Sequence, residues 1–501
     1  IGDARSPVEA TNVRMSGSVD AGDDVGGLIG YADATISLTD VSIDADADIV
    51  ASNYVGGLVG RVANGVDVRA SAVTVRGAIR GRSGADNVGG LFGRLADGGN
   101  QVIVTNVEIT PDARIEGRHR VGGLVGQIHG SISPGSFVFS DLTVNGRVQG
   151  TDHVGGAFGE VGEPTELHRA RIGAQVSSTD GLVGGVAGEV GQANGALILT
   201  ETIFDGAVSG EGTIGGTGGL VGAYDQSADD LAIRDVLVVG PTTSTATTDV
   251  GGLIGYASKD ADVRHALVLG TLTAPTATNV GAAVGFVDGS TVTATDTYWS
   301  TATHATVSAT GSGPLQGNAR GVSPAALRTY ATFADAGWSI ANGRPAAEGP
   351  EDATWTLCRD ATPTLTRWAP EACLPASNDV TTLRIGGFDP RQLRNIPFDV
   401  AISLTDAAGD AAYTEAPSTL TLTASGGAQE GDLLTYPDDA DTPTTPPTTP
   451  RVTIPAGAAH VTFTDRGPVD HLGIVQAAGL DAEGHSIAAA DPAYAGTALA
   501  K

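Results

Sequence analysis

Along most of this chain apolar and polar residues alternate with a period of two. The run Val66-Asp67-Val68-Arg69-Ala70-Ser71-Ala72-Val73-Thr74-Val75 is typical. Such alternation buries one face of a strand and leaves the other wet; a helix would bring its apolar positions back every three to four residues. Take Val55 to Asn87 as the unit. It opens with Val55-Gly56-Gly57-Leu58-Val59-Gly60-Arg61-Val62 and turns at Ala63-Asn64-Gly65. The alternating run follows, then Gly77 and the short segment Ala78-Ile79-Arg80, then a polar turn from Gly81 to Asn87. Three short strands and three Gly-marked turns are predicted in each unit.

The opening phrase recurs. Its Gly pairs are Gly26-Gly27, Gly56-Gly57, Gly89-Gly90, Gly122-Gly123, Gly155-Gly156, Gly184-Gly185, Gly218-Gly219 and Gly251-Gly252, with Gly281-Ala282 as a degraded ninth. The steps are 30, 33, 33, 33, 29, 34, 33 and 30 residues. A steady period in this range means stacked repeats, none of which can bury its apolar face alone. The prediction is an all-β chain: a β-solenoid of about nine coils, each of about 33 residues. The paired glycines are expected to be structural, allowing close backbone approach or positive φ at a corner. Leu28, Leu58, Leu91, Leu124, Leu220 and Leu253 then form one column. Ile29, Val59, Phe92, Val125, Phe158, Val221 and Ile254 form its neighbour. One of the two is expected to face inward.

From Val25 to Phe286 this phrase resembles the GLUG-motif family, a repeat of large bacterial surface proteins that include adhesins and IgA-peptidase-type proteins. The resemblance implies a secreted or surface-attached β-solenoid and no particular activity, because the repeat occurs in proteins of several functions. The zinc motif His-Glu-x-x-His, which the peptidase members would carry, does not occur here.

Three domains are predicted: a solenoid at 1–300, a cap at 301–376 and a separate domain at 377–501. In the cap, Ser323-Pro324 begins a helix over 324–335, with Ser as N-cap and Pro in the first turn, and Gly337 stops it. Trp338, Trp355, Leu365 and Trp368 add bulky apolar surface. The GLUG resemblance extends to Ala336-Gly337-Trp338 and Pro363-Thr364-Leu365-Thr366-Arg367-Trp368, and implies a plug at the solenoid end. Beyond 377, seven candidate strands are read at 381–386, 396–405, 418–424, 451–454, 460–464, 471–478 and 485–490. Val452 to Gly457 and His460 to Thr464 look like the closing half of bacterial Ig-like domains, implying an Ig-like sandwich. Pro437 to Pro450 reads as an exposed Pro/Thr/Asp-rich loop.

Composition narrows the function classes. The net charge of −29 argues against nucleic-acid binding, which needs a basic footprint. It suits a soluble protein, and permits divalent-cation binding or life in high salt. No apolar stretch is long enough for a membrane helix. The two cysteines, Cys358 and Cys373, lie close together and are expected to pair in an oxidising compartment, extracellular or at the cell surface. The chain begins at Ile1, so it is expected to be a signal-cleaved product or an excised fragment. Residues 1–24 form an entry coil whose open edge another domain or subunit would cover.

Candidate chemistry is sparse. Asp44, Asp46 and Asp48 alternate as if on one strand face. Asp438, Asp439 and Asp441 sit in the Pro-rich segment, and Asp20, Asp23 and Asp24 precede the first coil. Carboxylates so grouped are candidates for Ca²⁺, against the plainer reading of a solvated acidic face. The histidines lack metal-ligand spacing; His119 and His153 are read as a stacked surface pair. No dinucleotide loop or nucleophile elbow is found, and no cofactor is expected. The preferred reading is therefore a non-enzymatic adhesin or structural stalk, its partners an extracellular ligand or other copies of itself. One alternative is a filament subunit assembled head to tail by strand addition. Another is a carbohydrate-active solenoid, which would need a groove of paired carboxylates.

Overall fold

The computed structural model describes residues 1–343 apart from short stretches at 83, 97–98, 130–134, 192–194, 212–214, 226–229, 246–248 and 305–306. Beyond these it describes 353–359, 361–370, Cys373, Ala412 and seven later strands. The chain divides into two units, Ile1–Val322 and Ser323–Lys501.

The first unit is a parallel β-solenoid of about nine turns. Its type coil holds four strands: β1 (Tyr54–Gly56), β2 (Val59–Val62), β3 (Val68–Val75) and β4 (Ala78–Gly81). The opening phrase predicted as one strand is thus two, broken where Gly57-Leu58 bends. Each strand pairs in parallel with its counterparts above and below. Val55 meets Val88, Val59 meets Phe92, Val68 lies between Ile36 and Val102, and Ile79 lies between Ile49 and Ile115. Four parallel sheets of nine, nine, eleven and thirteen strands result. The ladders run past Ser300, the predicted exit, as far as Arg320–Val322.

Between the sheets lies one continuous apolar cluster reaching from Ala4 to Trp299. Each fully buried Val, Leu or Ile contributes about 1.5–3 kcal/mol, so coils stabilise one another by repetition rather than by a few special contacts. Both apolar columns face the core: Leu58 and Leu91 are as fully buried as Val59 and Phe92. The expectation of a single inward column fails because the bend interrupts the alternation. The backbone N–H groups of Leu58 and Val59 both donate to the Leu91 carbonyl, at 2.9 and 3.1 Å.

The bend explains the glycines. A Cβ on Gly56 would sit 2.0 Å from the Val59 carbonyl oxygen of its own coil. On Gly57 it would sit 2.1 Å from the Gly90 carbonyl oxygen of the next coil, and on Gly60 2.5 Å from the Val25 backbone nitrogen of the previous one. None of the three has positive φ. Of the two expected roles, close approach is therefore the one they serve.

Among non-Gly residues, positive φ occurs at Arg120 and His153, each two residues before a Gly pair, and throughout another column. Asn12, Asp40, Ala72, Asn106, Asp141, Arg169, Glu201, Asp235, His265 and Asp296 all have φ between 46° and 59°. Each lies within a β3-type strand or, for Asp296, just after one, and turns it through a corner. The residue at the corner shifts the alternation by one, so Val68 and Ala70 point inward and then Val73 and Val75 do. Asn and Asp recur there because their short polar side chains tolerate this region best.

The second unit begins with a 3₁₀ turn, Ala326–Arg328, and a short α-helix, Tyr330–Ala334. The single helix predicted over 324–335 is split because Thr329 is extended, with its hydroxyl bonded to the Ala325 carbonyl. The N-cap of the 3₁₀ turn is Ala325 rather than Ser323, whose hydroxyl accepts the Ala326 N–H at 3.1 Å, and Gly337 follows the α-helix with φ +77°. Phe333 packs edge-on to Trp338, centroids 4.9 Å apart, and Trp338 packs tilted against Trp355 at 4.6 Å. Cys358 and Cys373 are disulfide-bonded. Further on are strands Thr382–Gly386, Phe398–Thr405, Ser418–Ala424, Arg451–Ile454, His460–Asp465, Ile474–Leu480 and Ser486–Ala489. They pair antiparallel into one sheet of three and one of four. Asp438, Asp439, Asp441 and the Pro-rich segment lie outside the described residues.

Candidate functional site

The Gly bend sets the ends of β1 and β2 side by side, and two columns of side chains meet there. One column stands two residues before the first Gly: Asp24, Tyr54, Asn87, Arg120 and His153 in successive coils. The other stands five residues after it: Tyr31, Arg61, Arg94, Gln127, Glu160 and Glu189, paired in register. Contacts cross with a one-coil offset. Arg61 pairs with Asp24 of the coil before at 2.9 Å, Arg120 with Glu160 of the coil after, and His153 Nε2 lies 2.8 Å from Glu189 of the coil after. The signs invert along the stripe: the later column supplies the bases at one end and the acids in the middle.

The middle of the stripe is an ion-pair network. Glu160 is only 3% exposed; besides Arg120 it accepts a hydrogen bond from Gln127 Nε2 at 3.3 Å. Asp152 accepts the backbone N–H groups of His153 and Leu182 at 2.9 and 3.0 Å. His153 Nδ1 lies 2.7 Å from the other Asp152 oxygen, off the line of a good hydrogen bond. Burial works against a charge on His153, but Asp152 and Glu189 outweigh it and raise its pKa to about 10. Burial also opposes the charge on Asp152, yet His153 and the two backbone donors hold it below the usual carboxylate range. At the end of the stripe, burial pushes Asp24 up despite Arg61.

His119, Asp152 and His153 bring ligand atoms within 4.8 Å of one another, as do His153, Glu160 and Glu189. Donor sets of this kind suit a divalent cation. Here each of the three carboxylates already has a cationic partner, so a metal would have to displace one. The two histidines are not equivalent, contrary to the sequence reading. His119 stands opposite Asp152, and His153 stands one residue nearer the Gly pair.

A pH dependence follows. The folded pKa of His153 lies above its unfolded value of about 6.5. Its stabilising effect is complete below that value and is lost as pH rises through about 10. Asp152 acts in the opposite sense, stabilising above its unfolded value and failing as pH falls through its lower folded one. In NMR of histidine-labelled protein, His153 should titrate near pH 10; a midpoint near 6.5 would show that the network does not hold its proton.

The predicted calcium residues are dispersed. Asp44 and Asp48 are separated by a turn at Ala45-Asp46, so the three aspartates do not share a strand face. Asp44 is buried against Arg14, Asp48 pairs with Arg80, and Asp46 is exposed. Asp20 pairs with Arg82. Arg61, Arg94, Arg120, Asp152, Glu160 and Glu189 were missed, although their fixed offsets from the Gly pairs are visible in the sequence.

Near the start of the solenoid the stripe opens into a pocket of about 250 Å³ lined by Tyr31, Asp33, Arg61, Asn64 and Arg94. The Arg61 guanidinium lies between two rings, 4.6 Å from the centroid of Tyr31 and 5.1 Å from that of Tyr54. No helix among the described residues is long and apolar enough to cross a membrane. No family model, curated protein or solved structure matches this chain.

Proposed function

We propose that this protein is a non-enzymatic, secreted or cell-surface adhesin or structural stalk. The observation that carries the reading is the uninterrupted in-register ladder of about nine turns around one core. Such a body resists bending and shear because every coil is bonded along its length to two others. At about 4.8 Å per coil the solenoid reaches about 40 Å. The regular Gly phrase supports a GLUG-type repeat, and the two antiparallel sheets near the C-terminus support an Ig-like sandwich as a second contact module. The disulfide accords with an oxidising compartment.

The stacked acids of the stripe do not favour catalysis. Glu160 and Glu189 are register partners, but Glu160 is buried against Arg120, and a polymer substrate needs carboxylates open to a groove. A filament subunit, assembled head to tail by strand addition, is the second reading. Electron microscopy separates the two. Discrete particles that bind cells or glycan-coated surfaces support the adhesin or stalk; fibres repeating at one molecular length support the filament. Discrete particles that bind no surface and turn over a polysaccharide would overturn both.

A further inference from the structure

We propose that the pocket at Tyr31, Arg61 and Arg94 binds an acidic sugar, with Arg94 taking the carboxylate. The proposal rests on the adhesin reading and supplies the chemistry of its ligand. Arg94 is half-buried, and no carboxylate among the described residues lies within 4 Å of it. Its Nη1 donates to the Tyr54 hydroxyl at 3.3 Å, and its guanidinium carbon lies 5.7 Å from the centre of that ring. Its Nε is shut off from solvent and makes no hydrogen bond. Asp24, already paired with Arg61, acts on Arg94 only at longer range, so among the described residues this partly desolvated guanidinium has no ion pair of its own. By contrast the stacked neighbour, Arg61, is already held by Asp24 and two rings.

With Nε shut off from solvent, the Nη1–Nη2 end of the guanidinium is the fork that matches a carboxylate in two parallel hydrogen bonds, which an isolated hydroxyl cannot reproduce. The rest of the lining suits a sugar. Asp33 and Asn64 offer an acceptor and a mixed donor–acceptor for hydroxyls, and Tyr31 contributes an aromatic wall. A volume of about 250 Å³ is too small for an oligosaccharide and fits one pyranose unit. The ligand is thus a uronic-acid residue, free or at the accessible position of a longer glycan.

Calorimetry or saturation-transfer NMR on the full chain, in a carboxylate-free buffer, tests this with glucuronate, galacturonate, glucose and acetate. At least one uronate should bind with a Kd near the millimolar range, and glucose and acetate at least tenfold more weakly. Arg94→Ala should lose at least tenfold in uronate affinity. Arg94→Lys, which keeps the charge and the stem but not the fork, should lose several-fold; circular dichroism establishes that both variants are folded. Equal binding of glucose or acetate, no uronate binding, or unchanged affinity in a folded Arg94 variant would overturn the proposal. Binding to free sugars needs no cell surface, so failure here is distinguishable from failure of the adhesin reading.

Discussion

Gly123→Ala lowers the stability of the solenoid by about 3 kcal/mol or more. A Cβ at this position would stand 2.0 Å from the Gly156 carbonyl oxygen and 2.8 Å from Val144 Cγ1. The first atom is backbone, and the coil that owns it is bonded in register to the next, so neither side can withdraw without breaking ladder hydrogen bonds. Overpacking in an ordinary core costs about 1–3 kcal/mol because side chains can shift; here they cannot, and the cost lies at or above that range. Position 123 is also central. Stability in stacked repeats is close to a sum of nearest-neighbour terms, so a defect between the coils carrying Gly123 and Gly156 should divide the melt into two transitions. Gly22→Ala is the control. Nothing lies within 4 Å of its Cβ and its φ is not positive, so it should stay within about 0.5 kcal/mol of the parent. Denaturant titrations of the two variants decide the matter. Equal stability of Gly123→Ala and Gly22→Ala would mean that the Gly phrase is not sterically required.

What the sequence made legible was what repeats. The period, the strands and the paired glycines all recur every 29 to 34 residues, and each recurrence multiplies a weak local signal. The corner column was harder to see because the loop before it changes length from coil to coil. Asp40 follows the first Gly of its coil by 14 residues, but Asp141 follows its own by 19. The slip in alternation at Ala72-Val73 was the visible trace. The stripe failed for a different reason. Arg94, Gln127, Glu160 and Glu189 occupy one fixed offset but differ in chemistry, so no single residue type runs the length of the column. A column of unlike residues becomes meaningful only when neighbours in the stack are seen to bond across it, as Arg120 does with Glu160. The aspartates misled in the opposite way: Asp44, Asp46 and Asp48 share a residue type and a spacing, but a turn divides them.

Arg120→Leu costs about 3–5 kcal/mol, mostly because Glu160, a buried carboxylate, loses its direct ion-pair partner. The carboxylate is 3% exposed and also accepts a hydrogen bond from the neutral Gln127 amide. If charge is the cause, removing it should repair the damage. Arg120→Leu combined with Glu160→Gln replaces the ion pair with an amide that Gln127 can still meet, and should return to within about 1 kcal/mol of the parent. Glu160→Gln alone should be milder than Arg120→Leu, since Arg120 is one-third exposed and water can serve its guanidinium. Thermal or denaturant melts of the three variants form a double-mutant cycle whose coupling term measures the pair. Suppose instead that the double variant stays as unstable as Arg120→Leu. The loss would then lie in the packing of the arginine stem or in its left-handed backbone, φ 53°, which a bulky non-Gly residue adopts only at a cost. Arg120→Gly combined with Glu160→Gln, with no side chain at 120, no backbone penalty and no buried charge, tells those two causes apart: it restores stability only if the backbone is responsible. Recovery in the double variant would show that the stripe is held neutral coil by coil, with each buried acid matched to a base from the adjoining turn.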